Sequence, residues 1–538
     1  MGKLYYNGNI ITMESIDDSP QAILVEDGII CKVGSLEYVK SFANDTTEMV
    51  DLDGKTLMPA FIDGHGHISM YGQMINACNL SECETFEEII VAFNKYVEAY
   101  DGEFTPDDII FGFGYDHNFL PDGKHPTKEY LNQVSTTVPV YAMHTSGHMG
   151  CANDKLLEVA GITAQTEDPK GGMIGRVEGS SEPNGYLEEN AMFGTMGIMR
   201  QRIKYDVVES MKKAQEVYMK NGITTAQDGA TSDDNLKMFD MLAKQEKLVL
   251  DVVAYPMIVG GVVGSAGDSF VEYSEYANKY SNRFKLGGYK AVLDGSPQGK
   301  SAWLTEPYEG TDGYCSYSWF TEPQVEGFMA KAIKENQQIL VHCNGDAAGD
   351  QFLRNYVKAY HKSENPNKAN LRPVMIHCQT AREDQLDIME KYDMIPSIFT
   401  GHVYYWGDVH VKNLGKHRGE NVSPVQRSFD RGLVVNFHQD PPITNPKPLF
   451  SVWAAVNRIT RGGKLIGEKQ RCSVYDGLKA ITINGAYSYF EEDSKGSIKE
   501  GKRADLVILD QNPLTIDTML IKDIAILETI KDGVSYAW

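Results

Sequence analysis

The chain has no excess of basic residues. Its 51 lysines and arginines stand against 74 aspartates and glutamates, a net charge of −23, and a surface of that sign repels phosphate backbones and anionic lipid. Nucleic acid and membrane surfaces are therefore excluded as expected partners, and a small-molecule substrate is the expected one; a homo-oligomer stays open. There is no Cys-x-x-Cys pair either. The eight cysteines (Cys31, Cys78, Cys83, Cys151, Cys315, Cys343, Cys378 and Cys472) are scattered, which fits reduced, buried thiols and a cytoplasmic location. Residues 1–13 hold no apolar run long enough for a signal peptide, and no later window approaches the roughly 18 apolar residues of a membrane span. Internal repeats and low-complexity tracts are also missing. With 42% hydrophobic and 23% charged residues the composition is that of an ordinary globular protein. A length of 538 residues calls for two domains, or one domain with a large insertion.

What is present is a change of pattern along the chain. Residues 22–34 read as two strands folded at Asp27-Gly28, where the glycine accepts the positive φ of a tight hairpin, and residues 4–13 add further strand. The far end repeats this, with a strand over 504–509 and a hairpin in 524–538 that turns at Asp532-Gly533. Neither end is apolar enough to close a core alone, so residues 1–55 and 485–538 are expected to form one composite β-sandwich domain. Between them strands and helices alternate, as in a parallel sheet with helical crossovers. Eight strands are expected, at 56–63, 223–227, 248–255, 284–293, 338–342, 373–377, 394–399 and 433–438. Apolar residues at three- and four-residue intervals mark helices at 207–219, 235–243, 322–333, 347–360 and 384–392. The fold class is thus α/β, a (β/α)₈ TIM-like barrel over residues 56–484 with an insertion at about 69–202. An open doubly wound sheet competes, but its glycine fingerprint is missing after the first strand.

Polar residues gather where these strands end, the face on which such barrels hold their active sites. Strand one ends at His65 and His67, an i, i+2 pair that flanking glycines allow to turn toward one ion. Strand four carries Lys290, strands five and six end at His342 and His377, and strand eight ends at Asp440. Imidazole and carboxylate at this density suit Zn²⁺ and similar divalent ions, although a single histidine at a strand end is more often a hydrogen-bonded rim residue.

These motifs resemble the amidohydrolase superfamily, and within it the branch of YtcJ-like proteins and N-substituted formamide deformylases. Met58-Pro-Ala-Phe-Ile-Asp-Gly-His-Gly-His67 is similar to the family's strand-one motif, Val341-His-Cys-Asn-Gly-Asp-Ala-Ala348 to its strand-five motif and the segment from Lys290 to Ser296 to its Lys-x-x-x-Asp-Gly-Ser. Asp440-Pro441 resembles the strand-eight aspartate, and residues 496–509 the C-terminal sheet signature. The resemblance implies that His65, His67, His342 and His377 are metal ligands and that Asp440 is both ligand and catalytic proton carrier. It also implies one or two ions, with Lys290 carboxylated where two are bridged; the alternative is an ordinary lysine paired to Asp294 or to a substrate carboxylate. His438-Gln439 departs from the small residues expected before the aspartate and makes the pocket wall bulkier there.

Two further histidines are candidate substrate contacts. His148 forms an i, i+4 pair with His144, but Thr, Ser and Gly between them point to a loop rather than a helix. His402 follows strand seven among aromatics. The expected activity is metal-dependent hydrolysis of a C–N bond other than a peptide bond, in an amide or N-substituted formamide. The alternatives are a non-catalytic scaffold or regulator, and a deaminase, isomerase or lyase on the same metal site.

Overall fold

The structure is a computed structural model that describes all residues except 1, 101, 170–171, 204–205, 259–268 and 538. It divides into two compact units, residues 1–69 with 212–538, and residues 70–211.

In the first unit nine short strands run parallel to their neighbours: β1 (Phe61–Ile62), β2 (Ile223–Thr231), β3 (Asp251–Pro256), β4 (Phe284–Leu286), β5 (Gly288–Val292), β6 (Gln338–Cys343), β7 (Val374–His377), β8 (Ile395–Ile398) and β9 (Asn436–Phe437). They form two sheets, ordered β4-β3-β2-β1 and β5-β6-β7-β8-β9. Nearly all their residues are buried, which is why they read as unbroken apolar runs rather than alternating ones. The crossover helices lie close to where the periodicity put them, at Val207–Lys220, Asp233–Lys244, Glu322–Lys334, Asp346–Lys362 and Glu383–Lys391.

Two stretches read as single strands are each two. The run 284–293 breaks at Gly287, so β4 pairs with β3 while β5 pairs with β6. A Cβ on Gly287 would stand 2.6 Å from the Tyr255 ring, so only glycine lets the chain step between the sheets there. The run 56–63 changes partner at Ala60, whose N–H donates to Asp505 O while that of Phe61 donates to Gly222 O. Thr56–Pro59 therefore belongs to the terminal strands, and the boundary expected at residue 55 falls one strand too early.

Those terminal strands make two sheets. Thr56–Pro59 pairs antiparallel with Leu506–Leu509 and parallel with Asn9–Ile10, and Ile526–Lys531 and Val534–Ala537 continue the row. The other sheet joins Ala22–Glu26 to Ile29–Gly34, Lys3–Tyr6 and Glu48–Asp51. One buried cluster draws on both, with Tyr5, Ile23, Leu57, Leu506, Ile508 and Ile530 among its members. Chain ends too poor in apolar residues to bury them separately thus bury them together.

A buried ionic network ties the C-terminal segment to β3. Asp251 is 1% exposed; its Oδ2 lies 2.7 Å from Lys495 Nζ and 2.8 Å from Lys531 Nζ, and Arg283 and Arg503 stand at 3.4 and 3.6 Å. Burial raises the Asp251 carboxyl, but Lys495 and Lys531 outweigh it and hold it below the usual carboxylate range. For Lys495, burial lowers the amine while Asp251 and Glu491 raise it, with a net upward shift. Asp251→Asn should cost about 3–5 kcal/mol, since it strands buried cations. The sign with pH follows. A depressed carboxyl stabilises fully above its unfolded value near 3.9 and loses that stability as pH falls through the folded value, whereas the raised lysine loses its share only above about 10.4. Denaturant melts of both proteins should differ by a constant amount from about pH 5 to 9 and converge in acid.

The second unit is built on a six-stranded mixed sheet in the order Gly172–Arg176, Pro183–Glu189, Met149–Ala152, Val140–His144, Ile110–Tyr115, Cys78–Asn79. Helix Phe86–Ala99 opens with a capping box between Thr85 and Glu88 and packs Ile89 and Phe93 against Ile110 and Val140.

Candidate metal centre

β1 runs directly into Asp63-Gly-His-Gly-His67, and this loop is held by three backbone hydrogen bonds to two segments. Asp440 N–H donates to His65 O, His67 N–H to Pro441 O and Gly229 N–H to Gly66 O. Close approach explains the glycines. A Cβ on Gly64 would lie 2.6 Å from Phe437 O, and one on Gly229 would lie 2.3 Å from the His65 ring.

His65, His67, Lys290, His342, His377 and Asp440 come together at the C-terminal ends of the strands. Asp440 stands among them, its Oδ1 3.1 Å from His67 Nε2 and 3.7 Å from His65 Nε2 and its Oδ2 3.9 Å from His377 Nε2. The His342 and His377 rings are 4.5 Å apart, and Lys290 Nζ lies 3.1 Å from His65 Nε2. The turn that aims these groups inward is costly. His377 and Asp440 sit at φ +70° and +55°, left-handed conformations that cost non-glycine residues about 1–3 kcal/mol each.

Hydrogen bonds fix which ring nitrogens face the centre. Tyr489 O–H donates to Asp63 O, so its oxygen accepts from Gln227 Nε2 at 2.9 Å. That orients Gln227 Oε1 toward His65 Nδ1. His65 therefore carries its proton on Nδ1 and turns the Nε2 lone pair toward Asp440. Asp294 does the same for His342, with Oδ1 3.1 Å from Nδ1, and its carboxylate also accepts backbone N–H groups from Trp303, Asn344 and Gly345. Among the described residues Lys290 Nζ meets His65 Nε2 at 3.1 Å and makes no ion pair with Asp294.

The electrostatics suit a cation. Burial drives the His65 and His377 imidazoles well below their ordinary value, so they are neutral and keep their lone pairs. Burial also brings Lys290 down to about 7. At Asp440 burial raises the carboxyl, but His67 and the other nearby groups outweigh it and keep it below the carboxylate range. Among the described residues, Asp440 Oδ1 is buried with no hydrogen-bond partner other than the His67 ring 3.1 Å away, a costly state for a carboxylate oxygen unless a proton on that ring or a cation completes it. Donors about 2.0–2.2 Å from a tetrahedral ion stand about 3.3–3.6 Å apart, close to the separations around Asp440. The residues fit a divalent metal of the Zn²⁺ kind.

Sequence reasoning missed the residues behind the ligands. Gln227 and Tyr489 carry no local signal, Asp294 was read only as an alternative partner of Lys290 within its motif, and His438 was read as bulk in the pocket wall. It is instead fully buried behind His377. His402 lies in the first turn of helix Gly401–Glu420, 5.7 Å from the His377 ring and 4.2 Å from that of Phe399. His148 is in the other compact unit, in the turn between Val140–His144 and Met149–Ala152, with Nδ1 3.1 Å from Glu189 Oε2; the i, i+4 pair is not helical.

That unit has its own group of Asp116, His117 and His144. Its donor atoms are already engaged. Asp116 Oδ1 accepts from Asn118 N and Nδ2 at 2.9 and 2.8 Å, and Ser146 N–H donates to His144 Nδ1 at 3.0 Å, which leaves the His144 proton on the nitrogen facing His117.

This geometry belongs to a known class. The amidohydrolase family matches residues 48–537, and the chain is a member of it. The N-substituted formamide deformylase of Arthrobacter pascens is 24% identical over 98% of this chain and 97% of its own length. The putative amidohydrolase YtcJ of Bacillus subtilis is 24% identical over 99% of both chains. Among solved structures, an uncharacterized metal-dependent hydrolase from Pyrococcus horikoshii OT3 is similar in fold, with a TM-score of 0.77 and 24% identity over 96% of this chain and 99% of that one.

Proposed function

We propose that the protein is a metal-dependent hydrolase that cleaves the C–N bond of an amide or N-substituted formamide. The observation that carries this reading is the convergence of the His65, His67 and His377 rings on one buried, anionic carboxylate, Asp440. The two parallel sheets are read as one (β/α)₈ barrel, supported by the bridge between Met257 and Lys290 and by the packing of Gly64 on Phe437. The two terminal sheets are read as a small β-sandwich and residues 70–211 as an insertion. Eight free cysteines agree with a reducing compartment.

His65, His67, His342, His377 and Asp440 would hold the metal, Zn²⁺ by donor chemistry, as one ion or as two with Lys290 carboxylated. Burial helps Lys290 here, because a neutral amine is the nucleophile toward CO₂. When bound, such an ion lowers the pKa of water to about 7 and polarises a carbonyl. The protein's own part is to move the proton. Asp440, anionic and beside three imidazoles, accepts it from the attacking water and returns it to the departing nitrogen. Gln227 and Asp294 hold His65 and His342 in the tautomers that leave Nε2 unprotonated, with Lys290 Nζ 3.1 Å from the first and Asn344 Nδ2 3.3 Å from the second.

Measuring bound metal in purified protein, followed by amine release from a panel of N-formyl and N-acyl amines, tests the proposal. Metal with amine release supports it. Metal without turnover of any amide or formamide favours an isomerase or deaminase, and absence of stoichiometric metal favours a non-catalytic relative.

A further inference from the structure

His438, with Gln439, stands where the family resemblance calls for small residues. It follows β9 and is fully buried. Its Nδ1 lies 2.9 Å from Ser397 Oγ, in β8, and its Nε2 lies 3.1 Å from His377 Nδ1. The opposite edge of His377 presents Nε2 toward Asp440 Oδ2 at 3.9 Å. Three side chains from three adjacent strands thus form one line ending at the carboxylate.

Only one distribution of protons lets that line serve a metal. His377 offers a lone pair at Nε2 only if its proton is on Nδ1. The atom facing that proton is His438 Nε2, which must then be an acceptor. His438 therefore carries its own proton on Nδ1, where Ser397 Oγ accepts it, and every link is satisfied. In the opposite distribution His377 Nε2–H points at the centre and no lone pair remains for an ion. Carboxylates, carbonyls and water are the usual groups behind a ligating histidine. Here a neutral imidazole does that work, whereas His342 is backed by Asp294 and His65 by Gln227.

We propose that His438, held by Ser397, is a positioning residue that fixes the tautomer and ring orientation of His377 and thereby sets metal affinity at that ligand. The proposal rests on the reading of His377 as a ligand. It touches neither substrate nor the reacting atoms.

The test is Zn²⁺ affinity of metal-stripped protein, measured by chelator competition, with the Co²⁺ absorption spectrum as a second readout. His438→Leu removes the acceptor and should weaken binding about 10- to 100-fold, the usual cost of losing such a partner, and change the Co²⁺ spectrum. His438→Gln places an amide oxygen near the Nε2 position and should restore affinity to within a few-fold of wild type. Ser397→Ala leaves His377 untouched, should weaken binding by a smaller factor, and keeps the test open should the leucine variant not fold. Wild-type affinity in His438→Leu or, if that variant is not folded, in Ser397→Ala would overturn the proposal, as would a His438→Gln variant as weak as His438→Leu. His377→Ala separates the two levels: if it loses metal while the His438 variants do not, only the positioning role falls, and if it too binds normally, the ligand reading falls with it.

Discussion

Asp440→Asn should leave a protein that keeps its metal and loses its turnover, with the rate falling about 10²- to 10⁴-fold, the range typical of a lost general base. The two effects separate because the amide keeps the carboxylate's shape and one oxygen for the ion, yet it cannot take up a proton at neutral pH. Three imidazole nitrogens within 4 Å of the carboxylate would still hold the metal. Metal analysis and steady-state rates on one preparation check this. Full metal with a near-normal rate would mean that another group moves the proton, and His377 would become the first candidate.

A larger loss of metal should follow His65→Ala. His65 is 0% exposed and is fixed by Gln227 on one edge while facing Lys290 and Asp440 on the other. Removing a donor atom costs more than removing the residue that orients it, so affinity should fall by more than about 100-fold. His361→Ala is the control, since His361 is exposed on helix Asp346–Lys362 and contacts only Tyr392 and Tyr360 among the ring and hydrogen-bond partners described. Both variants should give the wild-type circular dichroism spectrum. Equal metal occupancy in the two, measured by atomic emission after dialysis, would remove His65 from the centre.

Much of this was legible in the sequence because parallel strands buried on both faces announce themselves as apolar runs, and His65, His67, His342, His377 and Asp440 each sit at or just past the end of one. What the sequence hid was exchange of partners. Residues 56–62 and 284–292 are locally continuous, and nothing in their pattern tells that Ala60 and Gly287 are where the chain changes sheets. Helix Gly401–Glu420 escaped for a different reason. It contains Gly401, Gly407, Gly415 and Gly419, poor helix formers, and its buried face mixes Val403, Trp406 and Leu414 with His402, His410 and Asn413, so neither propensity nor an apolar stripe marks it. The residues that orient the ligands were hidden by distance. Gln227 meets His65 across 162 positions and Tyr489 across 262, and a glutamine or tyrosine carries no sign of such a partner.

The pairing of Thr56–Pro59 with Leu506–Leu509 has a consequence for how the protein comes into being. His65 and His67 are made early, six residues or so after the strand that leads to them, but the strand that pins that segment is among the last to leave the ribosome. At about 5–20 residues per second the interval is on the order of a minute, during which one edge of Thr56–Pro59 lacks its partner. The arrangement that brings His65 and His67 to Asp440 is thereby completed only when residues 440–441 and 506–509 have joined the fold.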